Sequence, residues 1–184
     1  MMTLIVGGAA SGKSEYAERL AEEAFAAAGA RGKRWYIATL SASDEESLAR
    51  VEKHRARRAE KGYETVECPN GAALSAFAEQ LGDTAPIVLL DDFGNLVANE
   101  LFAPGGGQDA GQLLATLKNL AEQKTLFCVS NNVFEDHRPG REDPDLDRYY
   151  QYLADLNAGA AQAADRVCEV TAGLAEDWKG GTCS

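Results

Sequence analysis

Near the amino end the apolar run Leu4-Ile5-Val6 opens directly into Gly7-Gly8-Ala9-Ala10-Ser11-Gly12-Lys13-Ser14. The spacing G-x-x-x-x-G-K-S has a chemistry attached to it. Glycines let a chain curl so that successive N–H groups point inward at phosphate oxygens. A helix beginning at Lys13 adds the positive end of its dipole. The Lys13 ammonium then reaches the β- and γ-phosphates, and the Ser14 hydroxyl is placed for Mg²⁺. Gly7, Gly8, Ala9, Ala10, Ser11, Gly12, Lys13 and Ser14 are therefore read as a nucleotide-binding P-loop, with Lys13 also catalytic.

Such a loop needs a carboxylate on the far side of the metal. "IVLLDD", Ile87 to Asp92, is an apolar run closing in two acids. Asp91 is assigned to Mg²⁺, because the hard cation takes charged oxygen ligands. Asp92 is assigned to capping the helix that follows.

A third group lies in "SDEESLARVEKHRARRAEKG", Ser43 to Gly62. At helical spacing Arg50, His54, Arg57 and Arg58 share one face. Guanidinium neighbours disfavour imidazolium and leave His54 neutral, hence nucleophilic. Arg57 and Arg58 suit bidentate phosphate binding. A neutral imidazole beside bound phosphates can attack phosphorus. The pattern by itself also fits a solvated helix with surface ion pairs, Glu46 to Arg50 being one. The other histidine, His137, falls in a charged loop and reads as solvated.

These groups need elements to hold them. Apolar runs predict strands at Thr3–Val6, Arg34–Thr39, Glu64–Glu67, Ile87–Asp91, Leu126–Ser130 and Arg166–Thr171. Helical patterns lie between them, at Lys13–Ala28, Asp44–Lys61, Ala72–Leu81, Asn95–Phe102, Ala110–Glu122 and Asp145–Ala164. The alternation implies an α/β fold, a P-loop NTPase-like three-layer sandwich with a mostly parallel central sheet. Sites in such sheets lie at the carboxyl ends of the strands. "APGGGQDAG" from Ala103 and "NNVFEDHRPGREDPD" from Asn131 read as loops. The chain of 184 residues suits a single domain over 1–184.

Composition excludes other classes. The net charge of −11 argues against binding a nucleic-acid polymer. No segment approaches the roughly 18 apolar residues that span a bilayer, and no signal peptide is evident, so a cytoplasmic location is expected. Cys68, Cys128, Cys168 and Cys183 form no C-x-x-C pair, which argues against zinc. Cys128 and Cys168, in apolar runs, read as core residues.

Taken together, "LIVGGAASGKSEYAERL", "YIAT", "SDEESLARVEKHRARR" and "VLLDDFGNLVANELF" resemble the adenosylcobinamide kinase/adenosylcobinamide-phosphate guanylyltransferase family of cobalamin biosynthesis. "VSNNVF" and "LNAGAAQAADRV" extend the resemblance along nearly the whole chain. It implies two reactions. A nucleoside triphosphate, ATP or GTP, phosphorylates the aminopropanol hydroxyl of a corrinoid. GTP then donates GMP to that phosphate through a guanylylated histidine, which falls on His54. It also implies a homotrimer. Three features depart from the family. Asn132 stands where an acid is usual, "YYQYLADLN" replaces an Arg-Asp-x-x-Gly pattern before Asn157, and the tail is polar where an apolar strand is usual. Other readings of the residues are a P-loop kinase of another small hydroxyl compound, and a nucleotide-binding regulatory protein without turnover.

Overall fold

The computed structural model describes residues 1–29, 31–40, 52, 55–56, 58–82, 86–132 and 143–181. Seven strands form one sheet in the order β3-β2-β4-β5-β1-β6-β7. They are β1 (Met2–Gly7), β2 (Arg34–Ala38), β3 (Tyr63–Glu67), β4 (Ile87–Asp91), β5 (Thr125–Asn131), β6 (Arg166–Thr171) and β7 (Leu174–Lys179). The first six pair in parallel, and β7 closes the edge antiparallel to β6. The helices are α1 (Lys13–Ala27), α2 (Gly71–Gln80), α3 (Phe93–Phe102), α4 (Ala110–Gln123) and α5 (Pro144–Ala163).

Alternation of side chains across the sheet divides the core in two. Ile5, Leu89 and Val129 face α1 and pack on Ala17 and Ala21. Leu4, Val88, Leu90 and Cys128 face the other way, onto Leu96, Leu117 and Leu156 of α3, α4 and α5. The central strands are buried on both faces, which explains their unbroken apolar sequences.

The predicted strands and helices occur within one or two residues of their expected ends, with two exceptions. The helix expected at Asp44–Lys61 lies mostly outside the described residues; within it, residues 52, 55–56 and 58–60 are helical. The polar tail, for which no strand was predicted, forms one. Ala172 and Gly173 both take positive φ, 51° and 80°, as a tight two-residue hairpin requires. Arg166 then holds Asp177 across the ladder through two bonds of 2.7 and 3.1 Å. All six residues of β7 are exposed, so no apolar run announces this strand.

The loop after α3 is fixed by one buried acid. Glu100 is 5% exposed. Its carboxylate accepts from the N–H of Gly71 at the start of α2, of Gly107 at 2.6 Å and of Gln108 at 2.8 Å. Asp109 then starts α4 with a reciprocal capping box to Gln112. Of the cysteines, Cys68, Cys128 and Cys168 are buried and free, and burial raises the thiols of Cys68 and Cys168 to about 11. Among the described residues no helix is long and apolar enough to cross a membrane.

Two outcomes are expected. Glu100→Ala leaves buried N–H groups without an acceptor and should cost on the order of 3 kcal/mol, read as a lowered urea midpoint. A loss below about 1 kcal/mol would contradict this role. At pH 8 Cys68 and Cys168 should resist iodoacetamide in the native protein, since a thiol titrating near 11 is only about one part in a thousand thiolate. Mass spectrometry of digests reads this directly, and rapid labelling at either cysteine would contradict it.

Candidate active site

The turn between β1 and α1 has the shape that its glycines allow. Gly12 has φ of 89°, a left-handed conformation that L side chains rarely adopt. A Cβ on Gly7 would lie 2.5 Å from the Val170 carbonyl oxygen and 2.6 Å from Ser11 Oγ, so any side chain there would clash. The loop is tied to the β6–β7 hairpin by Gly173 N–H donating to the Ser11 carbonyl at 2.8 Å. No side chain caps α1, so its first N–H groups point toward the loop's hollow without a protein acceptor from the cap. Lys13 is 8% exposed, and its ammonium donates to the Gly8 carbonyl at 3.1 Å. The side chain is thus folded back over the loop, where a phosphate oxygen could replace that carbonyl.

Asp91 ends β4, one strand removed from β1 in the sheet. Ser14 Oγ nevertheless donates to its Oδ1 at 3.3 Å. Tyr36 from β2 donates its hydroxyl to Oδ2. Burial, then the neighbouring Asp92 charge, pushes the Asp91 carboxyl above the usual carboxylate range, against the pull of the Tyr36 and Ser14 hydroxyls and the Lys13 ammonium. Burial and the Asp91 charge push the Tyr36 phenol well up. A cavity of about 230 Å³ opens between these groups, lined by Ser11, Lys13, Ser14, Glu18, Tyr36 and Asp91. Adjacent hydroxyl and carboxylate oxygens form a hard donor set that fits a small divalent cation.

Asp92 caps α3, accepting from Asn95 N–H at 2.8 Å, as its place before the helix predicted. Its other oxygen accepts from the Asn131 amide at 3.1 Å. Asn132 follows, its N–H on the Gly7 carbonyl at 3.0 Å and its side-chain amide on Glu169 at 3.2 Å. Asn132, standing where an acid is usual in the family, thus pairs with a carboxylate of β6.

Of the residues assigned from sequence, the P-loop, Lys13, Ser14 and Asp91 come together around one cavity. Arg58 lies close by, 6% exposed, with its guanidinium carbon 4.1 Å above the Tyr36 ring. His54 and Arg57 lie outside the described residues, as do His137 and Cys183. Sequence reasoning passed over Tyr36, Thr39 and Glu18. For the first two the signal was present in "YIAT". The Thr39 hydroxyl accepts from Asp92 N–H at 2.8 Å and lies 3.1 and 2.9 Å from the carbonyls of Asp91 and Asp92. It stitches the end of β2 to the acidic pair. A larger groove of about 490 Å³ opens on the sheet face away from α1, between Val6, Asn157 and Trp178; it is apolar and lacks the phosphate loop's donors.

Comparison with known proteins shows the family of the chain. The profile of the cobinamide kinase / cobinamide phosphate guanyltransferase (CobU) family matches residues 3–177. The chain belongs to this family. It is 35% identical over 182 residues to the bifunctional adenosylcobalamin biosynthesis protein CobP of Pseudomonas aeruginosa, covering 98% of each chain. It is 37% identical over 186 residues to the bifunctional CobU of Salmonella typhimurium, and 38% over 186 residues to that of Escherichia coli, in both cases covering 95% of this chain and 97% of the relative. The flagellar accessory protein FlaH of Methanocaldococcus jannaschii shares the fold, with a TM-score of 0.57 at 14% identity over all of this chain and 81% of its own. As a member of the family the chain is a bifunctional enzyme of cobalamin biosynthesis, a kinase and a guanylyltransferase that uses nucleotides and a corrinoid.

Lys13→Ala should leave the fold intact and weaken nucleotide binding or turnover on the order of a hundredfold, because it removes the loop's charge toward phosphate. Calorimetry with Mg²⁺–GTP beside a circular dichroism spectrum reads both. Unchanged affinity and turnover would contradict the assignment of this loop to phosphate.

Proposed function

We propose that one phosphate cradle, Gly7 to Ser14, serves both reactions of this enzyme, within a single domain over residues 1–184. The observation that supports this most strongly is the 3.3 Å contact between Ser14 Oγ and Asp91 Oδ1. It brings the end of the loop against a strand-end acid at the spacing a shared cation needs. Mg²⁺ would be held by Ser14 and Asp91, with phosphate oxygens and water as its remaining ligands; when bound, it neutralises charge on the phosphates.

In the kinase reaction the loop N–H groups and the α1 N-terminus hold the β- and γ-phosphates, and Lys13 stabilises charge on the transferring group. The aminopropanol hydroxyl of adenosylcobinamide attacks the γ-phosphorus in line, the bond to the bridging oxygen breaks, and the nucleoside diphosphate leaves. No covalent protein intermediate is needed. In the second reaction His54 supplies the nucleophile. Its neutral ring nitrogen attacks the α-phosphorus of GTP and pyrophosphate leaves. A phosphate oxygen of adenosylcobinamide phosphate then displaces the imidazole, giving the GDP-linked corrinoid and the original histidine. Arg57 and Arg58 supply guanidinium charge to the phosphates. The Arg58 Nε is buried and lacks a hydrogen-bond partner among the described residues, which supports a role as donor to a ligand. ATP and GTP are both proposed as phosphoryl donors. The family resemblance supports a homotrimer, and a cytoplasmic location is proposed with it.

Labelling with [α-³²P]GTP tests the histidine route. Wild type should carry a label that acid releases and base does not, the behaviour of a phosphoramidate. His54→Ala should carry none and keep most of the kinase activity. Equal labelling of the two, or an unlabelled wild type with the kinase intact, would contradict it.

A further inference from the structure

Tyr36 is 3% exposed, yet its hydroxyl ends on a carboxylate at the floor of the phosphate cavity. The two oxygens of Asp91 are thus held from two sides, Oδ1 by Ser14 of α1 and Oδ2 by Tyr36 of β2. A carboxylate held at both oxygens has its orientation fixed before a cation arrives, so little rotamer freedom remains to be lost on binding. The phenol is fixed in turn. Tyr63 packs edge-on against it, with ring centroids 6.0 Å apart at 87°, and Arg58 lies on its face. A cation over the face of a phenol attracts the ring and draws density from its oxygen, which strengthens the O–H as a donor.

We propose that Tyr36 is the positioning residue of the Asp91 carboxylate, and that Arg58, acting through the Tyr36 ring, sets how tightly the nucleotide-bound divalent cation is held. The inference rests on the reading of Asp91 as a metal ligand. It gives Arg58 a role besides phosphate binding. Arg58 lies four residues after His54 in the chain, so this contact links the segment bearing the proposed nucleophile to the grip on the metal.

The test uses Mn²⁺ as probe and GDP as nucleotide, so that turnover does not enter. Free Mn²⁺ is counted by electron paramagnetic resonance for the full-length wild type, Tyr36→Phe, Arg58→Met, the double variant and Asp91→Asn. Affinity for GDP is measured separately in EDTA. Asp91→Asn should weaken Mn²⁺ the most. Tyr36→Phe should weaken it about tenfold, the effect of losing one hydrogen bond to a charged group. Arg58→Met should weaken it several-fold, about threefold to fivefold. The double variant should be no worse than Tyr36→Phe alone within about twofold, because Arg58 acts through the phenol. GDP affinity in EDTA should change less than about twofold in Tyr36→Phe, a result that general damage to the cavity would not give.

Unchanged Mn²⁺ affinity in Tyr36→Phe, with Asp91→Asn weakened, overturns this proposal and leaves the metal reading standing. Unchanged affinity in Asp91→Asn overturns both. A parallel fall in metal-free GDP affinity in Tyr36→Phe, or additive effects in the double variant, also overturns it. Should Tyr36→Phe fail to fold, Arg58→Met carries the test, since it leaves the hydroxyl on Asp91, and unchanged Mn²⁺ affinity there overturns the proposal.

Discussion

A hydroxyl on the first turn of α1 and a carboxylate at the end of β4 meet at 3.3 Å, although a whole strand, β5, separates β4 from β1. Much of the architecture serves that meeting. Parallel pairing of β1 with β5 and of β5 with β4 brings the three strands to their carboxyl ends at nearly one level, Gly7 beside Asn131 and Asp91 beside Val129. The continuous apolar runs exist because this registration needs strands buried on both faces. The glycines of the loop let α1 start close enough to the sheet for Ser14 to reach across. At the outer side, Tyr36 and Thr39 of the β2 end secure the acidic pair from the opposite direction.

This division of labour explains the unequal roles of the two aspartates. Asp91 is surrounded by hydroxyl donors and the Lys13 charge, and it faces the cavity. Asp92 serves the fold, one oxygen capping α3 and the other on Asn131, whereas the oxygens of Asp91 are held by two hydroxyls that line the cavity. A cap and a cation ligand are different demands on a carboxylate: the first needs N–H donors at a helix start, the second needs other hard oxygens beside it at a cavity. Asp91 is the last residue of β4 and Asp92 the N-cap of α3, so "DD" at this junction offers one acid to the cavity and one to the helix.

The fold was legible in the sequence wherever apolar periodicity was strong. β4 and β5 stand out because they are buried on both faces, and the P-loop stands out because its glycines answer to backbone geometry. The Asp92 cap was legible because a short acid before a helical pattern has few other uses. β7 was not, since an exposed edge strand carries no apolar signal and its hairpin turns on Ala172-Gly173, not on an Asn-Gly pair. The "YIAT" motif marked Tyr36 and Thr39, but not their roles. Both contacts join residues more than fifty positions apart, and only the pairing of β2 with β4 brings them together. Glu169 next to Asn132 is a contact of the same kind. The corrinoid came from resemblance to a family, for nothing in periodicity or charge specifies it.

The central claim is that nucleotide phosphates occupy the Gly7–Ser14 loop with a divalent cation between Ser14 and Asp91. A crystal structure of the protein with Mg²⁺ and a β,γ-imido analogue of GTP tests it most directly. The account predicts β- and γ-phosphate oxygens against the loop N–H groups, Lys13 Nζ turned from the Gly8 carbonyl onto phosphate, and the metal at Ser14 Oγ with Asp91 bound directly or through one water. Phosphates seated elsewhere, or a cation in the loop with Asp91 still bonded to Ser14 and remote from it, would contradict the account.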